Sequence, residues 1–501
     1  MSGLKLLQIF TPYFVCLPIF SAIMCCMLNE RPGFAKKINL FTTLILACIA
    51  FLGICITKKL PHDPIFYELG NFSYRIGIRF KIDLFASFGL FFVCFLHLLN
   101  SIFQSATQSK TPGVRLGMFL MVIAGLNGLI ITNDMFNLYV FLEITSIASY
   151  ILCVNKWNRA SYVAALEYLI IGTIAGCLVL FGIGFLYASF GTLNMSEIYD
   201  SINSSSNFGD LTIYSLIFII LGLLVKTGIY PFHGWYLKVS RSITPSTLAF
   251  FSYSLSQVTL LIIVKLLYSV YGIHFTSSIT RYFFGIINVI AVLSIIVGSI
   301  NAIRARFFVD VLAWSSIAQT GYLVIGFLSD NELILCGALM QIFANSISKI
   351  VIFFTYQKML SISNPSGFIS VSDAGRFDYS SFRMPLIITL INLAGLPMTI
   401  GFISKIYMIV GCVSEDRTAI FLTMILGAIL GAIYTFRIIE QVILGNKPGD
   451  VPTMTEFYKI NITICEKILY IITAIATIML PFWQKFATYI KLVADSILQI
   501  I

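Results

Sequence analysis

Glu143, Lys226, Lys349 and Lys405 each stand inside a long apolar run, and His233 closely follows Lys226 in LLVKTGIYPFHGWYL (223–237). An ionised side chain within a bilayer costs several kcal/mol, about 2.5–3.5 even on insertion scales, so its presence there points to function. The chemistry open to one carboxylate, three amines and an imidazole is reversible proton exchange. Burial disfavours the charged form of a group and a nearby opposite charge favours it, so a Glu–Lys pair whose separation changes takes up and releases a proton. Imidazole titrates near neutral pH without help, which suits His233 to a relay.

The setting of each group sharpens this reading. Glu143 lies in TNDMFNLYVFLEITSIASYIL (132–152), nine residues past Asp134 and close to mid-span. Its side chain is too short to reach either interface; the alternative is a structural carboxylate capped by neighbouring Ser and Thr. Lys226 follows the nearly uncharged stretch 211–225, which places it about 22 Å along a helix in a core about 30 Å thick. It would snorkel to the interface if the helix ended at Pro231. The apolar run continues through Tyr230-Pro231-Phe232-His233-Gly234-Trp235-Tyr236-Leu237, which argues for a broken span. Histidine at such a break is also commonly a hydrogen-bonding plug. Lys349, in LMQIFANSISKIVIFFTYQK (339–358), has apolar residues on both sides. Lys405 follows Gly395, Pro397 and Gly401 in INLAGLPMTIGFISKIYMIVGC (391–412), so that span is also kinked or broken. Broken spans in both halves of a chain are a mark of transporters, whose sites sit where unwound backbone can be hydrated.

The elements that hold these groups are membrane helices. The 501 residues are 58% hydrophobic and 11% charged, more apolar surface than a soluble protein keeps dry. About fourteen runs of spanning length fall near 4–28, 39–57, 83–105, 114–132, 135–154, 163–189, 211–236, 246–271, 281–300, 310–328, 333–357, 384–412, 418–440 and 464–482. Their continuous apolar character excludes a β-barrel, whose strands alternate. The first run is too long for a signal-peptide core and lacks a small-residue cleavage site, so it reads as a retained span.

Charge sets the expected orientation. The net charge is +10. With the N-terminus outside, the loops holding Arg31/Lys36/Lys37, Lys110/Arg115, Lys156/Arg159, Lys238/Arg241, Arg304/Arg306 and Lys358/Arg376/Arg383 face the cytoplasm. Opposite them lie TND (132–134), the acidic 197–210 segment, Asp330/Glu332 and Glu415/Asp416/Arg417. This is an N-out, C-out topology with an even number of spans, against which only the basic 58–81 loop runs (Lys58, Lys59, Arg75, Arg79, Lys81). Basic charge here reports orientation and not nucleic-acid binding. Most of the eleven cysteines, Cys25, Cys26, Cys48, Cys177 and Cys336 among them, lie in apolar spans without CxxC or Cys/His spacing. They read as small hydrophobes, with no metal site and no disulfide framework. No GxGxxG, P-loop or nucleophile-elbow pattern is present, so neither a cofactor nor a bond-making catalytic residue is expected.

The same residues carry a family resemblance. TNDMFNLYVFLEITSIASY (132–150) resembles the glutamate-bearing fifth helix of the D subunit of multisubunit Mrp-type cation/proton antiporters. VKTGIYPFHGW (225–235) resembles the broken seventh helix of that family, which the N, M and L subunits of respiratory complex I share. WSSIAQTGYLVIG (314–326) and LAGLPMTIGFISK (393–405) are similar to its tenth and twelfth helices. The resemblance covers roughly residues 110–440. It implies an all-α polytopic membrane fold of fourteen helices with broken helices 7 and 12. Residues 1–110 would form helices 1–3, 111–275 a first five-helix repeat, 276–445 a second and inverted one, and 446–501 helix 14 and a tail. It further implies a proton path through Glu143, Lys226, His233, Lys349 and Lys405. The implied partners are other membrane subunits, protons, Na⁺ or K⁺ and the lipid of a bacterial inner membrane.

Three departures stand against this pattern. Helix 8 of the family usually carries a lysine, and the matching position here is Gln257, which cannot carry a proton; Lys265 lies two turns further on. The usual LPDAH-like run after the helix-7 break reads YLKVSRS (236–242), and the DxKR turn before helix 10 reads FFVD (307–310). Three functions remain open: an Mrp-type D subunit or isolated homologue, a complex I subunit in a redox-driven pump, and a transport-inactive scaffold.

Overall fold

The structure is a computed structural model, and it describes residues 2–59, 63–71, 77–107, 111–155, 158–204, 209–272, 278–363, 368–444 and 458–498. Lys110, Lys156 and Arg75 of the charge argument lie outside these residues. The divisions expected at 110/111, 275/276 and 445/446 also involve residues outside them.

The chain is a polytopic all-α membrane protein. Its helices are α1 (Ser2–Phe10), α2 (Tyr13–Met27), α3 (Pro32–Thr57), α4 (Leu84–Thr107), α5 (Gly113–Ile131), α6 (Met135–Cys153), α7 (Arg159–Phe190), α8 (Met195–Ser204), α9 (Asp210–Thr227) and α10 (Gly234–Ser242). There follow α11 (Pro245–Ser269), α12 (Ser278–Arg304), α13 (Phe308–Phe327), α14 (Glu332–Ser363), α15 (Arg383–Ala394), α16 (Ile400–Ser414), α17 (Thr418–Leu444), α18 (Ile464–Phe482) and α19 (Gln484–Leu498). Among the described residues, 12 helices are long and apolar enough to cross a membrane. The expected span at 384–412 is built as two short apolar helices, α15 and α16. The last expected span, 464–482, is α18; after it the chain bends by 67° into a further helix, α19. α19 buries Tyr489, Ile490, Val493, Ala494 and Ile497, and packs on α4 and α14. Run length alone does not reveal that apolar face, because the helix is amphipathic rather than uniformly apolar.

α11 and α14 form the axis of the bundle. Almost every residue of both is buried, including polar ones, because helices surround them on all sides. α7, α12 and α17 instead leave broad apolar faces exposed, as lipid-facing helices do. The loops segregate to two ends. At one end Asn133 N–H donates to Arg79 O, Met135 N–H to Leu193 O, and Tyr268 Oη to Ser329 O. At this end two strands, β1 (Ile65–Glu68) and β2 (Arg79–Ile82), pair antiparallel in the register Ile65↔Ile82 to Glu68↔Arg79. At the other end Arg115 donates to Thr244 and Thr247, Arg241 meets Asp310, and Arg437 donates to Ile303 O and Ala305 O.

Both breaks are built the same way. α9 ends on Gly228 (φ 71) and α15 on Gly395 (φ 75), a left-handed conformation that glycine adopts without steric penalty. Helix ends within an apolar bundle leave carbonyls and N–H groups that need partners. Trp235 Nε1 donates to Val225 O (3.2 Å) across the first break, and Lys405 Nζ to Ala394 O (2.8 Å) across the second. Asn392 completes the second break: its Oδ1 accepts from Gly401 N–H (2.8 Å), while its Nδ2 donates to Ser348 Oγ and Ala344 O.

A buried ion pair ties α18 to α14. Lys358 Nζ lies 2.7 Å from Glu466 Oε1, and Glu466 is 0% exposed. Its other oxygen caps α18 by accepting from Thr463 N–H at 2.7 Å. Removing one partner of a buried pair leaves the other charged without compensation. Lys358→Ala is expected to destabilise the protein by about 3 kcal/mol, with stability largely retained in Lys358→Arg. Thermal unfolding in detergent measures both, and equal melting of Lys358→Ala and wild type would refute a stabilising role.

Candidate functional site

The first polar centre lies midway along α6. Glu143 Oε1 sits 3.5 Å from Lys226 Nζ, and Lys226 donates to Ser146 Oγ at 2.6 Å. Ser146 is one helical turn beyond Glu143, so both face α9. Lys226 reaches them from the last turn of α9, where a cation also complements the helix C-terminus. Its side chain is 10% exposed and that of Glu143 24%, so the lysine does not snorkel to an interface. A cavity of about 20 Å³ beside Lys226, lined also by Thr145, Ser146, Tyr168 and Thr259, has room for about one water. That water would find hydroxyls from α6, α7 and α11.

α7 admits this pair by carrying glycine where α6 approaches. A Cβ on Gly176 would lie 2.3 Å from Glu143 Oε1, and one on Gly172 would lie 2.0 Å from Tyr150 Oη. Tyr150 packs edge-on to Tyr168 (4.7 Å), which stacks on Trp235 (4.3 Å). An aromatic column therefore runs from α6 to the α10 side of the break.

The second centre lies on α14. Lys349 is 0% exposed. Its three donors meet Leu312 O (2.9 Å), Ser315 Oγ (3.0 Å) and Ser316 Oγ, all on α13. No carboxylate is paired with it among the described residues. Ser316 Oγ also accepts from Tyr236 Oη of α10 at 3.1 Å. Gln257 stands between the two centres on α11: its Oε1 accepts from Ser346 Oγ (2.6 Å), and its Nε2 has no partner among the described residues. The third centre is Lys405 on α16, 4% exposed, bound to Ala394 O and 5.4 Å from the centre of the Tyr322 ring. Behind it Ser404 Oγ donates to Gln341 Oε1, and Gln341 Nε2 to Gln319 Oε1 (2.6 Å).

The structure thus brings Glu143 and Lys226 together, and sets Lys349 and Lys405 in separate polar nests of the other half. His233 is not hydrogen-bonded to any of them among the described residues. It lies half-buried beside the break, its Nδ1 3.2 Å from Pro231 O, with its ring against Tyr230 (5.2 Å) and Trp314 (5.0 Å). Lys265 donates to Leu129 O, Ile130 O and Thr132 O, and so caps the end of α5. Two of the departures noted in the sequence meet each other: Arg241 of YLKVSRS makes a two-point ion pair with Asp310 of FFVD, at 2.7 and 2.9 Å. Arg241 borders an open groove of about 1130 Å³ in which Lys238 is paired with Glu167 (2.7 Å). Its cations are already matched.

Sequence reasoning passed over several participants. His97 sits in the span 83–105, 1% exposed, with Nδ1 3.3 Å from Tyr253 Oη; the rule that singled out the lysines applied equally to it. Ser146, Ser315, Ser316 and Tyr236 are ordinary in apolar helices, and only contact with a lysine distinguishes them.

Gly176→Ala places a methyl where the Glu143 carboxylate lies, and the carboxylate, being the end of a flexible chain, rotates away. The expected result is a loss of about 1 kcal/mol that disappears in a Glu143→Ala background. A double-mutant cycle on thermal stability measures it, and equal losses in both backgrounds would show that the methyl acts elsewhere.

The chain is similar to known proteins along most of its length. The family model described as "NADH:quinone oxidoreductase/Mrp antiporter, TM" matches residues 132–431, from the first residue of the α6 motif to the middle of α17. Among curated proteins, the N subunit of the NADH-quinone oxidoreductase of Desulforudis audaxviator is 34% identical over 445 residues, covering 87% of this chain and 86% of that one. The D subunit of the Na(+)/H(+) antiporter of Alkalihalophilus pseudofirmus is 26% identical over 354 residues, 70% of each chain. Among solved structures, a chain of the membrane-bound sulfane sulfur reductase, an archaeal respiratory complex, superposes with a TM-score of 0.87 over 98% of both chains at 21% identity. A chain of the Mrp complex from Dietzia sp. DQ12-45-1b gives 0.86 over 97% of both at 17%. With buried lysines at two glycine-opened breaks and a match that runs from residue 132 to 431, the chain belongs to the NADH:quinone oxidoreductase/Mrp antiporter family of membrane subunits.

Proposed function

We propose that this chain is the proton-translocating subunit of a multisubunit monovalent cation (Na⁺ or K⁺)/proton antiporter, carrying protons along Glu143, Lys226, His233, Lys349 and Lys405. The observation that carries the reading is the Glu143–Lys226 contact of 3.5 Å at the middle of α6, a largely buried ion pair inside a membrane-spanning bundle. A carboxylate holds the ammonium form of its neighbour, and protonation of that carboxylate releases it. Lys226 then alternates between Glu143 and the hydrated break beside it. The cavity next to Lys226 supports exchange with water. In this reading the chain is a transporter subunit and not an enzyme. It works beside other membrane subunits in a bacterial inner membrane, with both termini outside as the loop charges direct. Its two five-helix units are 111–275 and 276–445, and each contains one broken helix.

A second reading, a proton-pumping subunit of a complex I-type NADH–quinone oxidoreductase, draws on the 34% identity to a protein of that kind. The two readings differ in what drives the proton: a cation gradient in the first, NADH oxidation in the second.

Inverted vesicles from an antiporter-deficient host, carrying this subunit with its neighbouring genes, provide the test. Added Na⁺ or K⁺ is expected to collapse the pH gradient. Glu143→Ala and Lys226→Ala are each expected to abolish that response while the protein remains in the membrane. Full flux in either variant would sink the assignment. A response to NADH but to no cation would move it to the second reading.

A further inference from the structure

Several contacts join the half of the chain that holds Lys226 to the half that holds Lys349, Arg241 to Asp310 and Tyr268 to Ser329 O among them, and two of them lie within a turn of Lys349 or on it. One runs from α11 to α14 through Gln257 Oε1 and Ser346 Oγ. The other runs from α10 to α13 and α14 through Tyr236 Oη, Ser316 Oγ and Lys349 Nζ. They differ in chemistry. A side-chain amide has fixed donors and a fixed acceptor, and does not gain a proton at one atom while losing one at another. A hydroxyl does both. The Gln257 contact therefore cannot pass a proton on, whereas every member of the Tyr236–Ser316–Lys349 series can give and receive one.

Position favours the same contact. Tyr236 is 3% exposed and packs against the break itself: its Cβ would lie 3.4 Å from a Cβ on Gly228, two residues beyond Lys226. Ser316 Oγ accepts from Tyr236 and Lys349 while its own hydrogen is directed at Leu312 O (3.0 Å). Lys349 has all three ammonium donors in use. This is the arrangement of a loaded lysine. When Lys349 is neutral its nitrogen becomes an acceptor, and the Ser316 hydroxyl can turn from Leu312 O toward it.

We propose that protons cross between the two halves through the Tyr236 and Ser316 hydroxyls to Lys349, and that Gln257 only holds α11 against α14. The proposal rests on the proton-transport reading above. In the transfer, Ser316 gives its hydrogen to neutral Lys349 and takes one from Tyr236. Tyr236 is refilled by a water at the unwound segment 228–233, which in turn draws on Lys226. Each hydroxyl and the water end with as many hydrogens as they began with, Lys226 loses one proton and Lys349 gains one.

The test uses the complete complex in vesicles, with cation- or NADH-driven proton flux normalised to assembled complex. Tyr236→Phe removes one oxygen and keeps the ring in place. It is expected to lower flux by at least about tenfold, the effect of losing a proton-transfer group. Gln257→Lys alone is expected to leave flux near wild type. Adding Gln257→Lys to Tyr236→Phe is expected to restore most of the flux, because an amine at 257 opens the second contact to protons; a packing defect at 236 would not be repaired from 257. Ser316→Ala interrupts the same series from the other side and serves if the Phe variant assembles poorly. Flux within twofold of wild type in both single hydroxyl deletions would overturn the proposal, and so would a double variant as slow as Tyr236→Phe with normal assembly. Lys226→Ala in the same vesicles separates the two readings. Loss of flux there beside full flux in Tyr236→Phe would refute only this crossing, while full flux in Lys226→Ala would remove the transport reading with it.

Discussion

An ammonium group inside an apolar bundle must have oxygen around it, and this requirement shapes the middle of the protein. Each buried lysine meets it differently. Lys226 uses a carboxylate and a serine, Lys349 a carbonyl and two serines, Lys405 the last carbonyl of the helix before its own, and Lys265 three carbonyls at the end of α5. Hydrogen bonds to charged groups contribute about 1.5–3 kcal/mol each, and an unmet buried donor costs as much. Lys405 and Lys265 thereby satisfy the ends of neighbouring helices, while Lys226 and Lys349 are held by groups within them.

The helix breaks meet the complementary requirement, of carbonyls for donors. Ending a helix in lipid exposes carbonyls that water cannot reach. Such an end is stable only where a donor comes back across the gap, as Trp235 does to Val225 and Lys405 to Ala394. At the second break the returning donor is itself the ionisable group, so the state of Lys405 and the closure of that break are one equilibrium. At the first break the donor is an indole, which leaves Lys226 to pair with Glu143. The same backbone device thus serves two electrostatic situations: an ion pair in the first half, and lysines solvated by neutral oxygens in the second.

Close approach is the other constraint. The Glu143 carboxylate occupies the space a side chain at 176 would fill, and Tyr150 does the same at 172. The two glycines are one turn apart on α7, so a single face of that helix admits both groups. The exposed apolar residues of α7 lie on its other side, as expected of a helix with protein on one face and lipid on the other.

Much of this was legible in the chain. Composition and run length determined a polytopic helical membrane protein. The cost of intramembrane charge singled out Glu143, Lys226, Lys349 and Lys405, and glycine and proline marked both breaks. Each of these depends on residue type and on neighbours along the chain, which sequence records directly. The same reasoning left His97 aside and anticipated neither the paired strands β1 and β2 nor α19, whose apolar face becomes visible only against α4 and α14. Partnership lay beyond sequence. That Lys226 meets Glu143, that Lys349 meets two serines, that Arg241 meets Asp310, and that Tyr236 reaches Ser316 are relations between residues tens of positions apart. Packing decides them, because the depth and rotation of each helix are set by the faces it buries.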